Sequence, residues 1–301
     1  MDNRPPRITA IINPGTGRRQ ATALMAAIEA AVDEQAELDM VQTGEPGEAT
    51  SLAQRAAAVS DIVVAVGGDG TANEVASGIL GTPAKLGIVP AGSTNVIARS
   101  LGIPLDVEKS AQLLVAPHSE RVLDVAMLGE RVVLHMAGVG FDALIFRDTP
   151  PSLKRIAAWL AYVPTGVRHL GDQPWLFHIT IDGLEITTAA RMVLIANGAS
   201  LIDNHFVVGH DIQPDDGLLD VIVVAPPHIA GAAEVASRFA MGQFERSRYV
   251  RQFKGKSVHI AAEPSAPVEC DGELAGETPA LFTIRPRAIS IITPPRTTES
   301  G

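Results

Sequence analysis

Residues 63–74 read Val63-Val64-Ala65-Val66-Gly67-Gly68-Asp69-Gly70-Thr71-Ala72-Asn73-Glu74 and pass from an apolar strand into a glycine-rich turn with an acid, a hydroxyl and an amide. A continuous apolar strand is typical of a parallel sheet that is covered on both faces. The glycines allow backbone N–H groups to approach an anion. We expect a helix to follow, with Thr71 as its cap, so that the helix dipole adds to the attraction. The pattern predicts a phosphate site, with a plain turn as the alternative.

Two further segments repeat this order of strand and small-residue turn. Strand 8–12 is followed by Asn13-Pro14-Gly15-Thr16-Gly17, and strand 86–90 is followed by a turn that contains Gly92-Ser93-Thr94-Asn95. Turns at the carboxyl ends of parallel strands meet at the crevice where open α/β sheets bind ligands. We therefore expect the three turns to converge. None of them is a Walker loop, because no GK[ST] follows.

Six motifs follow one another along nearly the whole chain: Asn13-Pro14-Gly15-Thr16-Gly17, Gly67-Gly68-Asp69-Gly70-Thr71 with Asn73-Glu74-Val75, Pro90-Ala91-Gly92-Ser93-Thr94-Asn95 with Ala98-Arg99, Gly138-Val139-Gly140-Phe141-Asp142, Asp216-Gly217-Leu218-Leu219-Asp220, and Asp271-Gly272-Glu273. In order and approximate spacing, the series resembles the diacylglycerol kinase and sphingosine kinase catalytic-domain family, particularly its soluble bacterial members. At the third motif many relatives have GT followed by ND-F. In this chain Ser93 stands in place of the threonine, Val96 in place of the acid and Ile97 in place of the aromatic residue.

The resemblance implies an ATP-dependent lipid kinase of phospholipid biosynthesis. Such an enzyme transfers the γ-phosphate to a hydroxyl of diacylglycerol or a related lipid and gives a phosphatidic acid-type product. Phosphoryl transfer requires bound ATP–Mg²⁺, neutralised charge and an oriented hydroxyl. The resemblance makes Asp69 the partner of the catalytic Mg²⁺, with Glu74 as a weaker candidate. The residues expected to contact the nucleotide are Asn13, Pro14, Gly15, Thr16, Gly17, Thr43, Gly67, Gly68, Asp69, Gly70, Thr71, Ala72, Asn73 and Ser93.

The last two motifs carry carboxylates. Relatives place the general base in the Asp271-Gly272-Glu273 motif, and in an extended segment alternation would point both acids the same way. Asp271 and Glu273 both remain candidates, and a hairpin turn is the alternative for this motif. The Asp216 motif resembles a segment that binds a second, structural Mg²⁺ in bacterial relatives, which implies Gln213, Asp216 and Leu218 as ligands. Oxygen ligands suit Mg²⁺, and a plain Asp-Gly turn is the alternative.

The pattern of predicted elements changes after about residue 121. Before this point strand and helix patterns alternate, and after it short β-like segments at 131–135, 175–181, 191–196, 218–224, 257–261, 281–284 and 288–292 predict an antiparallel sandwich. We expect an α/β nucleotide domain over 1–125, a mostly β lipid-substrate domain over 126–294 and a tail over 295–301. The active cleft is expected between the two domains, and in the resembling proteins the C-terminus returns to the first domain. The motif at 138–142 is expected to be a turn bordering the lipid cleft.

Composition is compatible with this enzyme. The net charge of −10 argues against a nucleic-acid partner. The single Cys270, together with the lack of a signal-peptide pattern or a long apolar run, predicts a cytoplasmic protein. Peripheral membrane association is expected from the basic stretch 243–256 or from a helix over 152–170. The respective alternatives are a solvated strand or loop whose aromatic side chains turn inward, and an ordinary packed helix. A homodimer is left open.

Two other functions compete with the lipid kinase. An NAD kinase-like enzyme shares the Gly67–Thr71 pattern and would need an adenosine pocket in the second domain. A non-catalytic lipid or nucleotide sensor belongs to a different class, and the acids Asp69, Asp271 and Glu273 argue against it.

Overall fold

The structure is a computed structural model that describes residues 4–14, 18–150, 163–169, 171–199 and 207–295. The chain divides into two compact units: unit 1 comprises Met1–Leu123 with Arg287–Gly301, and unit 2 comprises Asp124–Pro286. Residues 287–293 therefore belong to unit 1, whereas the sequence predicts that they are part of the second domain.

Unit 1 contains a parallel sheet with the strand order β2-β1-β3-β4. The strands are β1 (Arg7–Ile12), β2 (Glu37–Gln42), β3 (Ile62–Gly67) and β4 (Lys85–Pro90). Every residue of β3 is buried, which requires cover on both faces of the sheet. At the other end of the sequence, Ile291 pairs in parallel with Leu86 of β4.

The helices of unit 1 lie between and after these strands. They are α1 (Arg18–Val32), α2 (Glu48–Ala56), α3 (Asp69–Ile79), α4 (Val96–Ser100) and α5 (Val107–Gln112). Leu24 and Ile28 of α1 and Ala111 of α5 share one apolar cluster with alternate residues of β1 and β3. This α/β arrangement confirms the fold class predicted for the first domain.

Helix α3 begins earlier than the sequence predicts. Its first residue is Asp69, and its N-cap is Gly68, which has an extended backbone and no capping side chain. The prediction that Thr71 caps the helix is wrong, because this residue lies inside the first turn. Its hydroxyl instead accepts a hydrogen bond from Asn13 Nδ2 at 3.1 Å. The side chain fits there because position 67 is glycine: a Cβ on Gly67 would lie 2.5 Å from Thr71 Oγ1.

Unit 2 is built from two antiparallel sheets. Strands β5 and β16 run from one unit into the other, and β5 pairs with β6 and β16. One sheet has the order β16-β13-β8-β9 and the other β12-β11-β10-β7-β14-β15. The strands are β5 (Ser119–Leu128), β6 (Arg131–Val133), β7 (Met136–Gly140), β8 (Trp175–Ile181), β9 (Leu184–Ala190), β10 (Met192–Ala196), β11 (Leu219–Val224), β12 (Val250–Gly255), β13 (Ser257–Glu263), β14 (Pro267–Cys270), β15 (Glu273–Glu277) and β16 (Ala280–Thr293).

A single apolar cluster joins the two sheets of unit 2. Phe177 and Phe282 from one sheet and Val139, Val193 and Val221 from the other are all completely buried in it. The outer face of the second sheet packs on α8 (Ile229–Ala240) through a separate cluster. Two sheets that bury alternate residues against each other form a β sandwich, which confirms the fold class predicted for the second domain.

Four local expectations can be compared with these elements. Segments 281–284 and 288–292 form one strand, β16, so the prediction of two strands is wrong. The motif at 138–142 is the end of β7 and the start of α6 (Phe141–Asp148) rather than a turn. Of the helix expected over 152–170, residues 152–162 lie outside the described residues, and residues 163–169 form α7 (Val163–His169). The basic stretch 243–256 contains the buried Phe244 and strand β12, as its alternative predicted.

Candidate functional site

The turns after β1, β3 and β4 are joined at the carboxyl edge of the unit 1 sheet. The backbone N–H of Asn13 donates to Val66 O at 3.0 Å, and that of Ala91 donates to Gly67 O at 2.8 Å. The side chain of Asn13 reaches Thr71, as described above. These contacts confirm that the three turns converge. Gly15, Thr16 and Gly17 of the first motif lie outside the described residues.

The second and third turns touch through glycine backbone. A Cβ on Gly92 would lie 2.5 Å from Gly68 Cα and 2.9 Å from Asn95 Oδ1, so a side chain at position 92 would push the two turns apart. The amide of Asn95 fixes the third turn, because its Oδ1 accepts from the Gly92 N–H and its Nδ2 donates to Gly92 O. Peptide N–H groups at a glycine turn and at an uncapped helix start are donors suited to an anion.

Asp69 occupies the first position of α3 and is half-buried. Its Oδ1 accepts a hydrogen bond from the Ile97 N–H at 2.9 Å, which ties the start of α4 to the second turn. Its Oδ2 has no hydrogen-bond partner among the described residues. One carboxylate oxygen therefore holds the turns together and the other is available to a ligand.

The other predicted site residues of unit 1 are Thr43, Ser93, Glu74 and four residues of the first turn and α3. Thr43 is buried directly after β2, and its N–H donates to Ile12 O; Ser93 is exposed on the third turn. Glu74 has a different role from the proposed metal contact. Its two oxygens accept the N–H groups of Gly47 and Ala49 at 3.1 Å each and so cap the N-terminus of α2. The remaining nucleotide candidates with described positions are Pro14, Gly70, Ala72 and Asn73, on the first turn and on α3.

In unit 2, Asp271 and Gly272 form the two-residue turn between β14 and β15, and both have positive φ, 49° and 87°. The segment is a tight hairpin and not an extended strand. Asp271 Oδ2 accepts the Leu134 N–H at 2.8 Å, and Oδ1 accepts those of His135 and Met136 at 3.0 and 2.9 Å. Burial raises the pKa of Asp271 above its ordinary value, although the three backbone donors oppose this rise.

Glu273 points to a different environment. Its side chain is 62% exposed, and Oε2 accepts from Arg131 Nη2 at 2.8 Å. Asp271 is thus held by backbone donors, whereas Glu273 retains an exposed oxygen. The condition under which both acids would share one orientation, an extended segment, is not met, because the turn reverses the chain between them.

Two acids near this hairpin were not assigned a role from the sequence. Glu269 is 3% exposed, and its Oε2 accepts the Gly272 N–H at 2.7 Å. Burial, followed by the adjacent charge of Asp142, raises the pKa of Glu269 well above its ordinary value; burial likewise raises the pKa of Asp142. Asp142 lies close beneath Gly138, where a Cβ would lie 2.2 Å from its Oδ2. A single acid inside the apolar run Pro267–Cys270 was the available signal. Cys270 itself is buried, and burial raises the pKa of its thiol.

In the loop that carries Gln213, Asp216 and Leu218, Asp216 already forms an ion pair with a lysine side chain. Asp216 Oδ1 accepts the Leu218 N–H at 3.0 Å, and Oδ2 accepts from Lys254 Nζ at 2.9 Å. Gln213 is exposed. Because an ammonium group contacts the only carboxylate of the implied ligand set, this arrangement does not fit the structural Mg²⁺ that the resemblance implies.

Unit 1 thus combines a parallel sheet with converging glycine turns, and unit 2 combines a β sandwich with the acids Asp271 and Glu273 at its β14–β15 hairpin. Residues 7–128 match the diacylglycerol kinase catalytic domain, and residues 135–293 match the YegS C-terminal NAD kinase beta sandwich-like domain. The chain belongs to the bacterial diacylglycerol kinase family, which confirms the resemblance found in the sequence. Membership of this family supports lipid kinase activity in general.

Individual relatives match this chain over most of its length. A diacylglycerol kinase of Staphylococcus haemolyticus is 30% identical over 256 residues, which are 84% of this chain and 77% of that protein. The protein sll0036 of Synechocystis is 29% identical over 238 residues, and this match spans only 54% of its length. The crystal structure of a diacylglycerol kinase from Bacillus anthracis has 25% identity and a TM-score of 0.80, and the alignment covers 96% of this chain and 97% of that one. In the described part of the chain, the helices are too short or too polar to cross a membrane.

Proposed function

We propose that the protein transfers the γ-phosphate of ATP to the hydroxyl of diacylglycerol or a related lipid, giving a phosphatidic acid-type product. The observation that carries this proposal is the joined edge of three turns around the uncapped start of α3. An anion placed there meets several N–H donors and the positive end of the helix dipole. The adenine nucleotide is the donor that the kinase family implies.

Unit 1 would bind the phosphates of ATP with its turns. The backbone of Gly67, Gly68 and Gly70 supplies N–H groups, and the hydroxyl of Ser93 adds an exposed donor. Asp69 would hold the Mg²⁺ of ATP–Mg²⁺ through Oδ2, directly or through water, since Mg²⁺ in phosphate sites is bound by one or two carboxylates together with substrate oxygens. When bound, this ion neutralises phosphate charge. Asp69 also keeps the third turn in place through Ile97.

Unit 2 would supply the general base, and we assign that role to Glu273. Its exposed oxygen is accessible to a lipid hydroxyl, whereas both oxygens of Asp271 are engaged by backbone donors. Asp271 then acts by fixing the hairpin from which Glu273 projects. Arg131 orients the Glu273 carboxylate through Oε2 and leaves Oε1 for the proton.

The lipid substrate implies contact with a membrane surface from the cytoplasmic side. Arg246, Arg248 and Arg251 are exposed on or beside β12, and basic side chains near a bilayer are attracted by anionic headgroups. Sedimentation with vesicles with and without phosphatidylserine tests this part, and equal binding to both would count against these arginines.

The direct test is transfer of labelled γ-phosphate from ATP–Mg²⁺ to a panel of lipids in mixed micelles, with NAD as a competing acceptor. We expect label in diacylglycerol or a related lipid, and a fall in kcat of about 10²- to 10⁴-fold in Glu273→Gln because the base is lost. Glu185→Gln, an exposed acid on β9, is the matched control and should retain full activity. Label in NAD would contradict the lipid kinase, and ATP binding without transfer to any acceptor would favour a sensor.

A further inference from the structure

The side chain of Lys254 on β12 links the loop between Asp211 and Leu218 to the second sheet of unit 2. Its Nζ donates to Asp216 Oδ2 at 2.9 Å and to the backbone oxygen of Asp211 at 2.9 Å. The same Nζ lies 3.4 Å from Asp220 Oδ2. One ammonium group therefore contacts three oxygens, two from the loop and one from β11.

The position of Lys254 is fixed by strand pairing. Lys254 lies directly opposite Asp220 in the antiparallel pair of β11 and β12. Asp220 is completely buried, and its Oδ1 accepts from Gln252 at 2.7 Å. Among the residues that the structure describes, the ammonium of Lys254 is the one cation beside its Oδ2. A buried carboxylate without a counter-charge is costly. If Lys254 moved away, Asp220 would lose its cation, and for this reason the ammonium remains in place.

The ammonium of Lys254 also opposes a divalent ion at this loop, because it donates to Asp216 Oδ2 and lies beside Asp220 Oδ2. A Mg²⁺ ion requires octahedral oxygen ligands at about 2.0–2.1 Å. On Asp216 it would meet a like charge that already contacts the same carboxylate.

We propose that Lys254 is the structural cation of the 211–218 loop in this chain, in place of the second Mg²⁺ that the family resemblance implies. The ammonium joins the loop to β11 and β12, so the order of this loop does not depend on divalent ions. The proposal concerns unit 2 only and is independent of the lipid kinase assignment.

Hydrogen–deuterium exchange of the full chain tests the proposal because it reports on this loop separately from the turns of unit 1. The informative amides are those of Gly217, which donates to Asp124 Oδ2, and Leu218, which donates to Asp216 Oδ1. The wild type is compared in EDTA and in excess MgCl₂ without nucleotide. Lys254→Met removes the charge with little change in volume, and Lys256→Met, two residues along and exposed, is the matched control.

We expect exchange at these amides in the wild type and in Lys256→Met to be the same in EDTA and in MgCl₂. In Lys254→Met it should be faster by about tenfold or more, as for the loss of a hydrogen bond to a charged group. Protection in the wild type that is lost in EDTA and restored by MgCl₂ would overturn the proposal, and so would full protection in Lys254→Met. The wild-type comparison remains decisive even if Lys254→Met fails to fold.

Discussion

Replacing Asp271 by asparagine should destabilise unit 2, whatever it does to catalysis. The turn places this residue at φ 49°, in the left-handed region, which asparagine tolerates about as well as aspartate. The backbone can therefore remain unchanged while the carboxylate is lost. The substitution isolates the three hydrogen bonds that Asp271 accepts from residues 134–136.

The size of the effect follows from those bonds. An amide oxygen in place of Oδ1 still accepts from His135 and Met136, but as a neutral acceptor, while an NH₂ group in place of Oδ2 faces the Leu134 N–H and cannot accept from it. Hydrogen bonds to a charged group are worth about 1.5–3 kcal/mol and neutral ones about 0.5–1.5 kcal/mol. One charged bond is lost and two are weakened. The raised pKa of Asp271 means that relief of the buried charge offsets the loss of these charged bonds. What remains is the cost of two buried donors that face each other, the Leu134 N–H and the new NH₂ group, at about 1–3 kcal/mol each, or about 3 kcal/mol together.

Thermal unfolding measured by calorimetry checks this value. For a unit of the size of unit 2, Asp124–Pro286, a loss of about 3 kcal/mol lowers Tm by about 6–12 °C, and we expect the loss in the transition of this unit. Glu273→Gln is the control, because removal of an exposed ion pair with Arg131 costs about 0–1 kcal/mol. It should unfold as the wild type does and yet lose phosphate transfer.

Two results would refute this reasoning. An Asp271→Asn protein with wild-type Tm would mean that the carboxylate is not committed to the backbone. A Glu273→Gln protein with full activity and an Asp271→Asn protein that is stable but inactive would move the base to Asp271. Activity alone cannot distinguish these cases, since an unfolded hairpin also abolishes transfer.

Two further predictions concern the glycine turns and the buried acids. Gly92→Ala should weaken ATP binding by about tenfold or more, because the new Cβ would lie 2.5 Å from Gly68 Cα; isothermal titration measures this, and Gly171→Ala, which meets nothing within 4 Å, should bind normally. Because the pKa of Glu269 is raised in the folded protein, the unfolded chain loses the Glu269 proton at a lower pH than the folded protein does. The unfolding free energy should therefore fall by up to about 1.4 kcal/mol per pH unit as pH rises from 4.5 towards the raised value. Glu269→Gln, which keeps an acceptor for Gly272 and can donate to Asp142, should flatten this slope in urea titrations at several pH values, and an unchanged slope would exclude Glu269 as its source.

The sequence was sufficient where the signal is local. The apolar run of β3 and its glycine turn predicted a buried parallel strand with an anion site, because a run of six buried residues has no other common use in an α/β sheet. Alternating patterns located β8 at residues 175–181, and they did not reveal β9, whose Thr187 and Thr188 lie on a largely exposed strand. The family motifs pointed to the acidic segment Asp271-Gly272-Glu273, which forms a hairpin turn.

The roles of individual side chains depended on partners that are distant in sequence. Glu74 was a candidate for metal binding until the structure placed both of its oxygens on the start of α2. Asp271 and Glu273 are two residues apart, but a turn sends one to the backbone of residues 134–136 and the other to Arg131.

The sequence by itself determined the order of the elements, the two-part organisation and the edge where the turns meet, because these follow from hydrophobic period and glycine position. Only the tertiary structure decided that Lys254 faces Asp220 and reaches Asp216. That contact requires the register of β11 against β12 and the path of a loop 38 residues away in sequence. Charge pairing across such a separation leaves no periodic signal, and for this reason an internal cation was indistinguishable from a basic surface stretch until the strands were paired.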